Sequence, residues 1–462
     1  MTKIILFLIT FLSSLVYSQN EFITVWKPAN AQSKTVANVP GQSTTQQIWF
    51  PGRGSNFNVY WEEIGFPSHN GTMNGISSSQ HFLVDFGTPY HPDPALATYR
   101  IKISNGNGNF DAVRFYNEYF VSPNLGTPIL MNLLGDTDKL LEVHQWGNIN
   151  WLSMETAFTD CSNLDVTATD IPILGNVTNA ALMFHNCTSL LGNPTFNQWN
   201  TSTITNMSHL FSNAGNFNQP LNNWNTANVT DMTWMFHYLS SFNQPLSSWN
   251  VSNVTTMLHM FHLCTSFNQD LSSWNVSNVT EFRDFLSGAT SFNQSLETWN
   301  LASVVQANSM LTNTALTCNN WDKTLHGWRT NPTTANNVNL GNVAPLQYKD
   351  PLAIAARDYL INVKGWTITG DVLGNECEST LSVSEANHNN FISIYPVPVS
   401  DFLRIQSPEK IIRVTITDFS GRIIYREKGD IKMIPVSHFK AGSYMISIET
   451  AKGILTRKFI KK

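Results

Sequence analysis

FNQPLSSWNVSNVTTMLHMFHLCTS, residues 242–266, decides how the chain is read, because the segments on either side are close copies of it. Trp199, Trp224, Trp249, Trp274 and Trp299 recur every 25 residues, each followed by Asn. Self-similarity at a fixed period marks a repeat architecture, in which units bury their apolar faces on one another. Aligning the residue that closes each unit adds Phe158, Phe184, Phe211, Phe236 and Phe261, with Leu286 and Leu311 in the last two units. Seven positions ahead of these stand Trp151, Val177, Ile204, Val229, Val254, Val279 and Val304, and between them Met154, Ala180, Met207, Met232, Met257, Phe282 and Ala307. Apolar spacing of i, i+3, i+6, i+7 behind an Asn or Thr N-cap predicts a short helix in each unit. The half reading Phe-Asn-Gln-Pro-Leu-Ser-Ser-Trp-Asn is too polar for helix and reads as an extended arm and turn. The expectation is an α/β solenoid of about seven coils of 25 residues over 139–316. Phe196-Asn197-Gln198 imitates the opening tripeptide but lies four positions late; in register Phe196 aligns with Leu221.

Outward from the repeats the composition changes. Lys3 followed by the apolar run Ile4–Tyr17 and the small Ser18 predicts a secretory signal peptide over 1–18. Its core is too short to cross a bilayer. No later segment has 18 consecutive apolar residues, so no transmembrane segment is expected in the mature chain. Residues 19–138 hold short β-prone runs between Gly, Pro and Asn clusters, which predicts an all-β, sandwich-like N-terminal domain. Within it Glu62, Glu63 and Asp85 lack a partner at defined spacing and read as exposed strand ends. Residues 317–371 are expected to cap the repeats, with a helix near Pro351–Val363, and 372–390 read as a linker. The alternating runs of 391–462 predict a small C-terminal β-sandwich, which makes the chain multidomain.

Charged residues make up only 13% of the 462, and the net charge is −5, so nothing electrostatic points to nucleic acid or an anionic membrane. Cys161, Cys187 and Cys264 fall three after the closing Phe, where Ala214 and Ala289 also sit, which suits a small buried position. A Cys161–Cys187 bridge, or one joining Cys318 and Cys377, stays open in an oxidising compartment. No catalytic constellation or cofactor motif stands out, so neither an enzyme nor a cofactor is expected.

The units reading Trp-Asn-Val-Ser-Asn-Val-Thr, then Met and Met-Phe, resemble the BspA-like leucine-rich-repeat surface proteins of bacteria. The likeness covers roughly 140–371, from Gln145-Trp146-Gly147 to Gly365-Trp366-Thr367-Ile368-Thr369-Gly370-Asp371. It implies that the coils are leucine-rich-repeat-like. Residues 391–462 resemble the C-terminal sorting domain of the type IX secretion system. That likeness rests on Tyr395-Pro396-Val397-Pro398-Val399-Ser400, Asp418-Phe419-Ser420-Gly421, Ala441-Gly442-Ser443-Tyr444 and Lys458-Phe459-Ile460-Lys461-Lys462; Val397 stands where the family usually has Asn. It implies the type IX machinery as a partner, removal of the domain, and attachment to the cell surface or release. Tyr395, Pro396, Pro398, Gly421, Gly442, Tyr444, Lys458, Lys461 and Lys462 are the expected sorting residues.

The invariant amides, Asn218, Asn243, Asn268 and Asn293 among them, read as a hydrogen-bonding ladder between coils. Positions that vary where packing does not dictate them carry the functional question. One column reads His209, Trp234, His259, Asp284; another reads Ser212, His237, His262, Ser287, with Tyr238 beside it. Stacked, they form either a patch of imidazoles and aromatics for an extracellular protein or glycan, or a solvated face. His259, His262 and Asp284 make a zinc or copper site conceivable, but no unit carries a ligand triad, so no metal is expected. The leading expectation is a secreted, cell-surface repeat protein for adhesion or for protein or glycan binding. An enzyme with its site in the N-terminal domain and a structural surface-layer protein are the alternatives.

Overall fold

The computed structural model describes residues 20–121, 128–374, 392–407, 409–418, 421–451 and 453–462. The signal peptide, Cys377 and most of the linker lie outside the described residues. The chain divides into two compact units, Met1–Ser382 and Val383–Lys462.

The first unit opens with β1 (Phe22–Trp26), β2 (Gln47–Phe50), β3 (Gly52–Glu63), β4 (Phe66–Ser78), β5 (Phe82–Asp85) and β6 (Tyr99–Ser104). β7 (Asn109–Val113), β8 (Tyr116–Val121), β9 (Pro128–Leu133), β10 (Leu140–Gln145) and β11 (Asp165–Val166) follow. A seven-stranded sheet runs β11-β10-β1-β6-β3-β4, with β7 also on β3, while β2–β5 and β8–β9 form two-stranded sheets. β6 alternates as a half-buried strand should: Tyr99, Ile101 and Ile103 point inward. Its Arg100 and Lys102 both reach Glu62 of β3, at 3.1 and 3.2 Å. β1 is buried at all five positions because it is covered on both faces. The sheet does not stop at residue 138. β10 pairs with β1, and β11, inside the repeats, extends it in parallel. One buried core continues from Phe22 to Ile368, so the N-terminal strands are the first layer of a larger body and not a sandwich of their own.

The repeats correct the fold expectation more sharply. No α/β leucine-rich-repeat solenoid forms. The described residues contain two α-helices, both after residue 317, and none lies in the repeat units. Instead the backbone of each unit bonds alternately outward and inward. The amides of Met232, Trp234, Phe236 and Tyr238 donate to the carbonyls of Thr256, Leu258, Met260 and His262 in the next unit, at 2.8–3.2 Å. Those of Met235, His237 and Leu239 donate three residues back within their own unit. This pattern requires two left-handed residues per unit. His209, Trp234, His259 and Asp284 fill one such column at φ 51–59°, and Asn213, Tyr238 and Leu263 the other at φ 61–65°. Left-handed residues cannot continue an α-helix. An isolated helix of two turns is also marginal in water, whereas pairing with a neighbour satisfies every second amide. Single-residue parallel bridges mark the same stacking, from Asn179↔Asn206 through Asn206↔Asp231, Asp231↔Thr256 and Thr256↔Glu281 to Glu281↔Gln306.

The regular letters hold the stack. Indole Nε1 of Trp224, Trp249, Trp274 and Trp299 donates to the carbonyls of Phe196, Leu221, Leu246 and Leu271, at 2.6–3.0 Å. Phe196 thus stands where Leu221 stands one unit on, as the 25-residue register requires. The indoles of Trp199, Trp224, Trp249 and Trp274 stack at 6.2–6.4 Å, and Phe184, Phe211, Phe236 and Phe261 stack at 5.4–6.1 Å. Oδ1 of Asn218, Asn243 and Asn268 accepts from the backbone N–H of Asn243, Asn268 and Asn293, which is the amide ladder. Cys161, Cys187 and Cys264 are buried free thiols, so no bridge joins Cys161 to Cys187. Cys318 is disulfide-bonded.

The stack is closed by α1 (Cys318–Thr330), β12 (Asn339–Asn342), β13 (Gln347–Tyr348), α2 (Pro351–Asn362), β14 (Thr367–Thr369) and β15 (Val372–Leu373). Asp350 caps α2 by accepting from the Leu352 N–H at 2.8 Å, with Pro351 in the first turn. Trp328 of α1 continues the indole ladder onto the Leu296 carbonyl. The second unit comprises β16 (Ser393–Tyr395), β17 (Phe402–Gln406), β18 (Ile411–Asp418), β19 (Ile423–Lys428), β20 (Met433–Pro435), β21 (Gly442–Thr450) and β22 (Gly453–Lys461). A β16-β17-β20 sheet and a β19-β18-β21-β22 sheet enclose Leu403, Val414, Ile416, Ile446, Ile448 and Phe459.

Candidate functional site

Because the two left-handed columns repeat, the side chains between them fall at the same place in every unit, and unlike residues there meet across units. His209 packs on Trp234 at 5.3 Å, Trp234 on His237 at 3.9 Å and on His259 at 4.7 Å. His237 touches Tyr238 at 4.3 Å and His262 at 5.1 Å, and His259 lies 4.9 Å from His262. Asp284 closes the chain of contacts, its Oδ2 3.7 Å from Nε2 of His259. All seven residues singled out in the sequence therefore form one contiguous cluster spanning four units.

The cluster is less open than a surface patch. His209 is fully buried, Trp234 and His237 are buried, and His259, His262 and Asp284 are half-buried; only Tyr238, at 49%, is exposed. Burial lowers the His237 pKa to about 2, helped by the neighbouring imidazoles, and that of His259 to about 4. His262 is lowered for the same reason, so the imidazoles are neutral near pH 7. Nδ1 of His237, His259 and His262 is buried without a hydrogen-bond partner among the described residues, as is Nε1 of Trp234. Each such atom costs roughly 1–3 kcal/mol. One ring nitrogen from each of His237, His259 and His262 lies within 4.8 Å of the other two. Sequence reasoning grouped His259 and His262 with Asp284 and missed His237 as their third partner, because a straight column reading hides contacts between columns.

It also missed His185, which follows a closing Phe as His237 and His262 do and packs on His209 at 5.9 Å. The irregular 27-residue spacing between Phe184 and Phe211 concealed it. A further network ties the β layer to the first unit: Lys34, Tyr116 (2.5 Å) and Asn186 (2.7 Å) all hydrogen-bond to the carboxylate of Asp160.

The two carboxylates of β3, Glu62 and Glu63, are engaged by neighbouring side chains and backbone. Glu63 is 1% exposed, against the expected exposed strand end, and accepts from His69 and from the N–H groups of Tyr90 and His91 at 2.5–2.8 Å. A hollow of about 460 Å³ between Pro28–Thr35, Gln42–Thr45 and Lys139 has no carboxylate or imidazole in its lining.

In the second unit the expected sorting residues converge. The Val399 N–H donates to the Ile460 carbonyl and the Lys462 N–H to that of Val399, which draws the Tyr395-Pro396-Val397-Pro398 segment beside the last strand. Tyr395, Pro396, Pro398, Lys458 and Lys462 are exposed, and Lys461 is largely buried. Tyr444 is buried, stacks on Phe459 at 5.6 Å and donates to the Lys440 carbonyl at 2.8 Å. Gly421 turns at φ 82°, and Gly442 opens β21.

Comparison with known proteins bears on two parts of the chain. Residues 152–257 and 224–328 match a family described as Mycoplasma protein of unknown function, DUF285. No curated protein matches. Among the described residues no helix is long and apolar enough to cross a membrane. Residues 393–462 match the secretion system C-terminal sorting domain, so the chain carries the signal for type IX export to the cell surface or beyond.

Proposed function

We propose that this is an exported surface protein whose repeat stack serves recognition, presenting the histidine–aromatic cluster to an extracellular protein or glycan. The observation that carries the reading is the division of labour within each unit. The periodic residues face the core or the neighbouring unit, while the residues that break the period meet in one cluster. Exposed Tyr238 and half-buried His259, His262 and Asp284 give that cluster an outward edge. Around it the surface is sparsely charged, with six charged residues between Cys187 and Leu316, five of them acidic, which suits hydrogen bonding and ring stacking better than charge pairing. The sorting domain and the likeness of the units to BspA-like surface proteins support an extracellular setting.

The test is binding of the exported full chain to a panel of matrix proteins and a glycan array, compared with Tyr238→Ser. A ligand whose affinity falls tenfold or more in the variant supports the proposal. No ligand, or one bound equally by both, refutes it.

A further inference from the structure

We propose that His237, His259 and His262 form a binding site for a divalent transition-metal ion of the Zn²⁺ class, built between two adjacent repeat units. Three imidazoles with no thiolate are the donor set of an open zinc centre, with a fourth position left for water. Each ring supplies one nitrogen within 4.8 Å of the other two. A tetrahedral ion with Zn–N bonds of about 2.0–2.1 Å needs nitrogens about 3.3 Å apart, so the rings must close in by rotation. His259 and His262, half-buried, are the rings that would turn. His237 is held between Trp234 at 3.9 Å and Tyr238 at 4.3 Å and serves as the fixed ligand.

Two further observations point to a ligand. Nδ1 of all three histidines is buried and unpartnered among the described residues, although every ring has a nitrogen that would otherwise be hydrogen-bonded. Asp284 Oδ2 stands 3.7 Å from Nε2 of His259, so the same ring rotation that closes the site would have to bring that N–H into hydrogen-bond reach for the carboxylate to orient the ring when Nδ1 binds metal. The nearest guanidinium, Arg283, is tied to Glu281 at 3.0 Å. Trp234 packs on the His237 and His259 rings, and Tyr238, 49% exposed, borders His237 and His262 where the cluster meets solvent. No single unit holds the triad; it exists only because the 25-residue register sets His237 beside His262.

The tag-free exported chain, stripped with chelator, is titrated with ZnCl₂ against a competing chromophoric chelator and separately loaded with Co²⁺. Variants are His259→Asn, since Asn tolerates the left-handed backbone at φ 53°, His262→Gln, and the distant control His144→Gln. One Zn²⁺ per chain is expected, with affinity at least tenfold weaker in each cluster variant and unchanged in the control. The Co²⁺ form should show a tetrahedral visible band that both cluster variants lack. Thermal unfolding of the metal-free variants establishes that they fold. Absence of Zn²⁺ binding, or equal affinity in wild type and both cluster variants, overturns the site. Metal is read here without any partner, so failure leaves the recognition reading standing, and loss of that reading leaves this one.

Discussion

Asp160 is 7% exposed, and its charge is satisfied by Lys34, Tyr116 and Asn186. Burial raises its pKa, but the hydrogen bonds from these three partners outweigh it and leave the carboxyl below its usual 3.8. A group with a depressed folded pKa stabilises fully above its unfolded value and loses that contribution as pH falls through the folded one. Asp160→Asn should therefore cost roughly 2 kcal/mol at pH 7, with the gap from wild type closing below about pH 4. Thermal midpoints of both chains from pH 2.5 to 7 check this; a gap that is independent of pH would argue against the charged network. Cys161, Cys187 and Cys264 make a second residue-level case. They are buried, and Ala occupies the same position in other units, so the thiols should label only after unfolding and Cys264→Ala should cost under about 1.5 kcal/mol. Mass spectrometry of iodoacetamide-treated native and denatured chain decides the first point, and denaturant melts the second.

At the scale of the element, the 25-residue register was legible in the sequence and the conformation inside it was not. Trp249, Val254, Met257 and Phe261 announce which residues are buried, because burial leaves an apolar letter at every period. Their i, i+3, i+7 spacing also suits a helix, and propensity alone cannot show that the Trp234 amide finds its acceptor in Leu258 of the next unit at 2.8 Å. The only hint was local: β-branched Val229, Thr230 and Thr233 are poor helix formers. The amide ladder was legible, since an Asn repeated at one turn position has a neighbour to bond. Asn243→Ala removes the acceptor for the Asn268 N–H (2.9 Å) and the Gln269 amide (2.8 Å). It should cost roughly 1–3 kcal/mol and lower the midpoint by several degrees. Trp249→Phe, which keeps the ring stack but loses the bond to the Leu221 carbonyl, should cost about 1–2 kcal/mol. If either variant melts with wild type, the ladders are not what holds the units together.

Over the whole molecule, the sequence singled out residues that come into contact but did not show how they assemble. His209, Trp234, His237, Tyr238, His259, His262 and Asp284 do meet, but as a largely buried cluster instead of an open face, because two columns a few residues apart lean together. The continuity of the N-terminal sheet with the repeats was also hidden, since β10 and β11 are separated from β1 by more than 100 residues. The sorting unit was easier to read, because its motifs are short and local. Deleting residues 393–462 should leave the chain inside the cell envelope, as fractionation of cells expressing both forms would show.

The account rests on units that are held by each other and not by internal helices. Amide-resolved hydrogen exchange across 229–239 tests this most directly. Met232, Trp234, Phe236 and Tyr238, bonded to the next unit, should exchange as slowly as Met235, His237 and Leu239, bonded within their own, and in one step with the flanking units. Fast exchange at Trp234 and Tyr238, or a unit that opens independently of its neighbours, would contradict it.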